Sequence, residues 1–290
     1  RSGEPAMASI DFDVDDVCFI SACALSALGA IWMLVKCHNA KTFFGRLMWH
    51  LALSDLLYAV LPNILTVGKV LSQHTVSSYC YCRIFLLVLH AFEIVSATLE
   101  LYIASALIAA VFHSSAVLSF LEKRLVMILT WTLCLLITLA DFLTTTTSTN
   151  VGLSVVDRCG NLSPVFAVWL CICLLSGVAI YVAGVVKSRS FSGDAATKRA
   201  VSRATWFPLL FFITYGALTA YNLVRLSSIA SAAFVLANLN GFANAVTYRV
   251  LVVRSDASPR RFFPVGFRPE VSILSSRFNS VASSSSSVDV

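Results

Sequence analysis

Residues 239–250 read LNGFANAVTYRV and lie in the last long apolar stretch of the chain. Asn240, Asn244 and Tyr248 recur every four residues, so on a helix they form one stripe. Gly241 lies beside that stripe and allows a neighbouring helix to approach closely. This spacing predicts a row of hydrogen bonds between packed helices. The surrounding apolar sequence is therefore interpreted as a helix that packs against other helices.

Composition indicates that these helices lie in a membrane. Of the 290 residues, 58% are hydrophobic and 12% are charged, and the mean hydropathy is +0.83. Soluble domains are typically about 45–50% apolar and about 25% charged. A soluble core of this size does not hide so much apolar surface. We therefore predict an integral, multi-pass protein of the lipid bilayer, most simply of the plasma membrane.

Seven apolar runs are long enough to cross the hydrocarbon layer, which takes roughly 20 helical residues. They lie at residues 17–36, 47–68, 84–112, 125–145, 164–186, 204–225 and 230–252. The sixth and seventh runs are separated only by a short turn around Ser227 and Ser228. The predicted fold is an all-α membrane bundle of seven transmembrane helices, over residues 17–252.

The basic residues give the expected orientation, because positive charge in short loops stays on the cytoplasmic side. With the N-terminus outside, 16 of the 21 lysines and arginines fall in cytoplasmic segments and five fall outside. Residues 1–16 are then extracellular, and residues 1–6 are interpreted as a cloning scar or translated upstream sequence. Residues 253–290 form a serine-rich cytoplasmic tail, predicted to be disordered because it has few large apolar side chains.

Three cysteines lie outside in this topology, where the environment permits disulfides. Cys82 begins the third span and Cys159 precedes the fifth, and a bridge between them is predicted, with Cys80 as the competing partner. Asn161 begins an Asn-Leu-Ser pattern in the same outer loop, which makes it a candidate for glycosylation.

Four acidic residues lie within the predicted spans. Placing an ionisable side chain inside a membrane is energetically unfavourable, so each of them is a candidate functional residue. Asp55, in LALSDLLYAVLP, is interpreted as a strut or a switch. Glu93 faces either a ligand cavity or a neighbouring helix, and Glu100, seven residues later on nearly the same face, is expected to be an interior polar group. Asp141 lies near the end of the fourth span and is expected to be solvated.

Enzymatic chemistry is not indicated by any motif. The five histidines are scattered without an HExxH pattern, and there is no glycine-rich phosphate loop. We expect no catalytic residue, metal ion, cofactor or nucleic-acid partner. A retinal protein is also disfavoured, because residues 230–252 contain no lysine for a Schiff base.

The order of the motifs resembles that of a G-protein-coupled receptor. Its components are LALSDLL in span two, a cysteine at the start of span three, and an asparagine and a tyrosine near the inner end of span seven. NGFANAVTY is similar to the last-helix pattern of the cyclic-AMP chemotactic receptors of slime moulds and their plant and protist relatives, approximately QGxxNxxxY. WFPLLFFITYG in span six and LVMILTW in span four resemble the same group.

The chain also departs from the rhodopsin-like receptors. The inner end of span three reads LIAAVFHSSAVL and has no Asp-Arg-Tyr, and the asparagine-proline pair of span seven is absent, since Ala245 follows Asn244. A rhodopsin-like assignment is therefore disfavoured.

The resemblance implies a receptor that binds an extracellular ligand and signals through a heterotrimeric G protein. Asp55, Glu100, Asn240, Asn244 and Tyr248 are expected to form an interhelical polar network with two arrangements, which would make it the switch. The basic residues near the outer mouth either attract a small anionic ligand or, as cations at helix ends, extend to the membrane interface. The basic inner loop either contacts the G protein or has a purely topological role beside anionic lipid. The candidate ligand contacts are Glu93, Lys69, Arg83, Arg158 and Arg225, and the candidate G-protein contacts are Lys187, Arg189, Lys198, Arg199 and Arg203.

Two other functions remain open. A transporter or ion-conducting protein would use Asp55, Glu93 and Glu100 as a cation or proton path. The second alternative is a protein that has the receptor fold but acts as a scaffold and does not signal.

Overall fold

The computed structural model describes residues 14–40, 42–71, 78–112, 114–144, 164–190, 206–224 and 227–252, and these are almost entirely helical. The described part contains nine helices. They are α1 (Val14–Cys37), α2 (Phe43–Leu71), α3 (Ser78–Val111), α4 (Ser115–Leu121), α5 (Arg124–Thr144), α6 (Pro164–Ser190), α7 (Trp206–Val224), α8 (Ser227–Asn238) and α9 (Asn240–Val252).

The helices are those of a multi-pass membrane protein. The described residues of the first six apolar runs lie on one long helix each, and the seventh run is divided between α8 and α9. Within the described part of the chain, four stretches are long and apolar enough to cross a membrane by themselves. These are Val17–Cys37, Ile84–Ala110, Arg124–Leu143 and Val165–Val186.

Helix α3 occupies the centre of the bundle. In an 18-residue window of Ile84–Ala110, 61% of the residues are buried, against 17% in such a window of Arg124–Leu143 on α5. Ile94, Leu99 and Ile103 of α3 are fully buried and belong to the main apolar core. Helices α2, α4, α5, α6 and α7 all pack against α3. Polar side chains on α3 can therefore reach several helices at once.

The peripheral helices present apolar side chains outwards. Leu136 and Leu143 on α5 and Leu175 and Val186 on α6 are exposed. Soluble helices normally place polar residues on such a face. An apolar outer face is instead suited to contact with lipid.

The last apolar run is divided at a single residue, Leu239, between α8 and α9. Helical hydrogen bonds continue through it, since Leu239 N–H donates to the Val235 carbonyl at 3.0 Å and the Leu239 carbonyl accepts from Ala243 N–H at 2.9 Å. Helix α1 contacts both sides of the interruption. The thiol of Cys23 donates to Asn238 Oδ1 at 3.1 Å, and Gly241 N–H donates to Ser26 Oγ at 3.1 Å. The sequence run alone does not reveal this break, because its anchors lie on another helix.

A short helix that the sequence did not predict, α4, connects α3 to α5. The hydroxyl of Tyr102 on α3 donates to the carbonyl of Leu121, the last residue of α4. Arg46 at the start of α2 forms an exposed ion pair with Glu122, at 3.4 Å. These contacts attach the connection to the ends of α2 and α3.

Helices α1 and α9 approach so closely that glycine is required at the contact. A Cβ on Gly241 would lie 2.5 Å from Ser26 Oγ and 3.0 Å from Asp55 Cβ. A Cβ on Gly29 would lie 2.9 Å from the Cα of Phe242. All three distances are shorter than van der Waals contact, so neither position has room for a methyl group.

We predict that Gly241→Ala lowers the stability of the bundle by about 1–3 kcal/mol, because the methyl group overpacks the contact with Ser26 and Asp55. The measurement is thermal unfolding of the purified chain in detergent. Gly216→Ala is the matched control, since its Cβ would meet nothing closer than Phe212 Cδ1 at 4.0 Å. Equal unfolding temperatures for the two variants would contradict the close packing.

Candidate functional site

Five polar residues from three helices meet inside the bundle, and we call them the carboxylate–carboxamide cluster. Asp55 comes from α2, Ser96 and Glu100 from successive turns of α3, and Asn240 and Asn244 from successive turns of α9. All five are at most 3% exposed. Their spacing of four residues on α3 and on α9 places each pair on one helix face.

The side chain of Asn240 is the centre of this cluster. Its Nδ2 donates to Glu100 Oε1 at 2.6 Å and also lies 3.3 Å from Asp55 Oδ1 and 3.3 Å from Ser96 Oγ. Its Oδ1 lies 3.1 Å from Thr214 Oγ1 on α7, whose single hydrogen is shared with the carbonyl of Leu210 at 2.9 Å. One carboxamide therefore contacts polar groups on α2, α3 and α7.

Asn244, one turn further along α9, bridges the two acids. Its Nδ2 donates to Asp55 Oδ2 at 3.0 Å and to Glu100 Oε1 at 2.9 Å. Ser96 Oγ donates to Asp55 Oδ1 at 2.5 Å. Both carboxyl groups thus receive amide or hydroxyl donors, which is what a buried acid requires in an apolar medium.

The hydrogen bonds of Asn240 cannot all form at once. A carboxamide nitrogen carries two hydrogens, but Asn240 Nδ2 lies within hydrogen-bonding distance of three acceptors, on Glu100, Asp55 and Ser96. The shortest of these distances is the 2.6 Å to Glu100 Oε1, and the second hydrogen is shared between Asp55 Oδ1 and Ser96 Oγ, both at 3.3 Å.

The structure places Tyr248, the third member of the predicted stripe, against α1. Its ring makes an edge contact with Trp32, with ring centroids 6.2 Å apart and planes at 72°. Of the five residues expected in the network, the structure brings Asp55, Glu100, Asn240 and Asn244 together. Ser96 and Thr214 complete the group, and neither was predicted from the sequence as part of it.

The prediction for Asp141 was wrong. It was expected to be solvated but is 4% exposed, and its Oδ2 lies 2.9 Å from Nδ1 of His90 on α3. The ring of His90 also stacks on Phe166 of α6, with ring centroids 4.1 Å apart. The packing of α5 and α6 on α3 creates this contact, and the only signal for it in the sequence was a histidine within an apolar run.

Glu93 lies on α3 outside the carboxylate–carboxamide cluster. It is 2% exposed, and within the described residues no group hydrogen-bonds its Oε1. The hydroxyl of Tyr58 on α2 is likewise buried without a hydrogen-bond partner there. Buried polar groups without partners are uncommon and call for an explanation.

The other candidate positions fall where the structure describes no side chain, so the outer disulfide, the anion contacts, the G-protein contacts and the glycosylation stay predictions. They are Cys80, Cys82, Cys159, Lys69, Arg83, Arg158, Arg225, Asn161, Lys187, Arg189, Lys198, Arg199 and Arg203. Residues 1–13 and 253–290 also lie outside the described residues. Among the described residues, no three His, Cys, Asp or Glu side chains are grouped as metal ligands.

Comparison with known proteins adds no family assignment. No protein-family model matches the chain, and no curated protein matches it.

We predict that Asn240→Ala lowers stability by about 2 kcal/mol or more, because it removes several interhelical bonds and leaves two buried acids short of donors. Thr132→Ala is the control, since the exposed Thr132 hydroxyl donates to the carbonyl of Ile128 on its own helix at 2.9 Å. Thermal unfolding of both variants in the same detergent provides the test. A loss for Asn240→Ala no larger than that for Thr132→Ala would show that the cluster does not stabilise the bundle.

Proposed function

We propose that the chain is a seven-helix receptor of the plasma membrane in which the carboxylate–carboxamide cluster is the switch. The observation that carries the proposal is the set of three competing acceptors around Asn240 Nδ2. A group with several arrangements, shared by α2, α3, α7 and α9, can couple a change at one end of the bundle to the other. The resemblance to G-protein-coupled receptors, and within them to the cyclic-AMP receptor-like group, supports the same function.

In this proposal an extracellular ligand binds one arrangement of the helices more tightly than another. Only such a difference in affinity shifts the equilibrium between them. Since Asn240 and Asn244 both lie on α9, a displacement of α9 would exchange acceptors on Asp55, Glu100 and Ser96. The opposite ends of α3, α6 and α7 would then rearrange to receive a heterotrimeric G protein.

The proposed topology has seven spans, the N-terminus outside and the C-terminus inside. The described basic side chains support it. Lys36, Arg46, Lys123, Arg124 and Arg249 all lie at helix ends or in connections that this topology assigns to the cytoplasmic side. The G-protein contact is proposed for the basic segment that contains Lys187, Arg189, Lys198, Arg199 and Arg203.

A proton or cation transporter is the second candidate function. One observation favours it. Glu93 Oε1 and Glu100 Oε2 are both buried without a hydrogen-bond partner among the described residues. These two acids lie seven residues apart on nearly the same face of α3. A chain of exchangeable carboxyl groups along one helix is typical of ion and proton pathways.

We predict that Asn244→Ala changes guanine-nucleotide exchange by about fivefold or more while surface expression changes little, because the variant loses the bridge between Asp55 and Glu100. The measurement is exchange on G proteins reconstituted with the chain, with and without a screen of small ligands. Thr132→Ala serves as the control, because its hydroxyl bonds only the carbonyl of Ile128 on its own helix. An equal loss of exchange and expression would leave Asn244 with a structural role only.

Ion flux measured in the same vesicles separates the two candidate functions. The receptor proposal expects exchange without flux. Flux without exchange, abolished by Asp55→Asn and Glu100→Gln, would establish the transporter instead.

A further inference from the structure

The short helix α4 has an apolar side that only partly faces the bundle. At 3.6 residues per turn, its large apolar residues fall on one side and its serines on the other; they are Val117, Leu118, Phe120 and Leu121, against Ser115 and Ser119. Leu118 is buried, whereas Phe120 is 56% exposed. Val117 lies one turn from Phe120 on the same side and is also exposed. The part of α4 that carries Val117 and Phe120 therefore faces away from the bundle.

Helix α4 is held at the end of a membrane span. It ends at Leu121, and α5, which is long and apolar enough to cross a membrane, begins three residues later at Arg124. The Tyr102 hydroxyl of α3 donates to the carbonyl of Leu121. In the first turns of α5, Leu125 and Ile128 are exposed. Lipid that covers these two side chains therefore lies beside α4, since α4 and α5 contact each other.

Two cations lie between the exposed ring of α4 and the apolar surface of α5. Lys123 and Arg124 are both exposed, and within the described part of the chain neither forms an ion pair. The acid of this connection, Glu122, is neutralised by Arg46 at 3.4 Å. Lys123 Nζ lies 6.0 Å from the centroid of the Phe120 ring. The connection is therefore a positive patch with an exposed aromatic ring at its edge.

This combination matches the boundary between lipid headgroups and acyl chains. A surface helix with apolar and basic sides binds there by burying its apolar side and by attracting anionic headgroups. Each lysine or arginine close to an anionic membrane surface strengthens binding by about fivefold. A soluble protein partner would cover Phe120 but could not cover Leu125 and Ile128 within the hydrocarbon. Lipid can cover all three, because the exposed apolar surface continues from α4 onto α5.

We propose that Val117, Phe120, Lys123 and Arg124 form a binding site for an anionic phospholipid, which we call the α4 lipid site. The two apolar side chains enter the acyl region, and the two cations bind the charged headgroup. In the proposed topology the site lies in the cytoplasmic leaflet, which carries the anionic lipids. The inference does not depend on the receptor function, because the site requires only the helix and a membrane. Bound lipid would also hold the end of α3, through the bond from Tyr102 to Leu121.

The test compares the full chain in nanodiscs of phosphatidylcholine with the chain in nanodiscs of an equal mixture of phosphatidylcholine and phosphatidylserine. Hydrogen exchange of the amides of residues 115–121 is measured by mass spectrometry, because it reports local opening of α4. No G protein is present. We expect phosphatidylserine to slow this exchange by about fivefold or more.

Variants separate the charged and apolar parts of the site. Lys123→Gln with Arg124→Gln should reduce the effect of phosphatidylserine to less than about twofold. Lys36→Gln is the matched control, since Lys36 is an exposed lysine in the last turn of α1, and its α4 exchange should match that of the unaltered chain. Phe120→Ser should speed exchange in both membranes, and Phe120→Leu should restore most of the protection because it keeps an apolar side chain.

The unfolding temperature of each variant is measured alongside, and it should change little because these side chains are exposed. If the double variant does not fold, Lys123→Gln alone decides.

Three results would overturn the inference: no slowing by phosphatidylserine, equal slowing in the double variant, or loss of the slowing in Lys36→Gln as well. The last would show a general attraction of the basic surface to the membrane instead of a site at α4. Adding heterotrimeric G protein gives a further comparison. Slower exchange of α4 with G protein, but not with phosphatidylserine, would make this face a protein-docking surface and would likewise overturn the lipid site.

Discussion

Among the side chains whose hydrogen bonds are described, that of Asn240 bonds to the largest number of helices. The packing of the bundle depends on these bonds. Its Nδ2 serves acceptors on α2 and α3, and its Oδ1 accepts from Thr214 on α7. In hydrocarbon no water replaces a missing partner. The acids Asp55 and Glu100 are therefore tolerated only while α9 keeps its amides beside them, and the helices cannot separate without leaving both acids short of donors.

Close packing of backbones makes this interaction possible. Gly241 brings α9 against Ser26 and Asp55, and Gly29 brings α1 against Phe242. The break at Leu239 lies between two anchors on α1, Cys23 and Ser26. Close contact with α1 therefore fixes the backbone of α9. Hydrogen bonds to α2 and α3 fix the side-chain amides of α9. A bundle held by hydrogen bonds of this kind can change state by exchanging acceptors, without exposing polar groups to lipid.

Much of this was predictable from the sequence, and the remainder depended on contacts between distant residues. The long helices follow from length and apolarity, and the pairing of Asn240 with Asn244 follows from their spacing of four. Tyr248 shares that spacing, yet it packs against Trp32 because α1 lies beside that turn. The burial of Asp141 and the break at Leu239 were not predictable, since their partners His90 and Ser26 lie on other helices. Helix α4 was not predicted because its seven residues are too few for a membrane span.

The most direct test of this account is the coupling energy between Asp55 and Asn244 in a double-mutant cycle of unfolding free energies. The cycle uses Asp55→Ala, Asn244→Ala and the double variant in one detergent. If the 3.0 Å bond between these side chains holds α2 to α9, the double variant should lose less stability than the two single variants together, by about 1 kcal/mol or more. Losses that add within about 0.3–0.5 kcal/mol would show that the two residues act independently, and would contradict a shared switch.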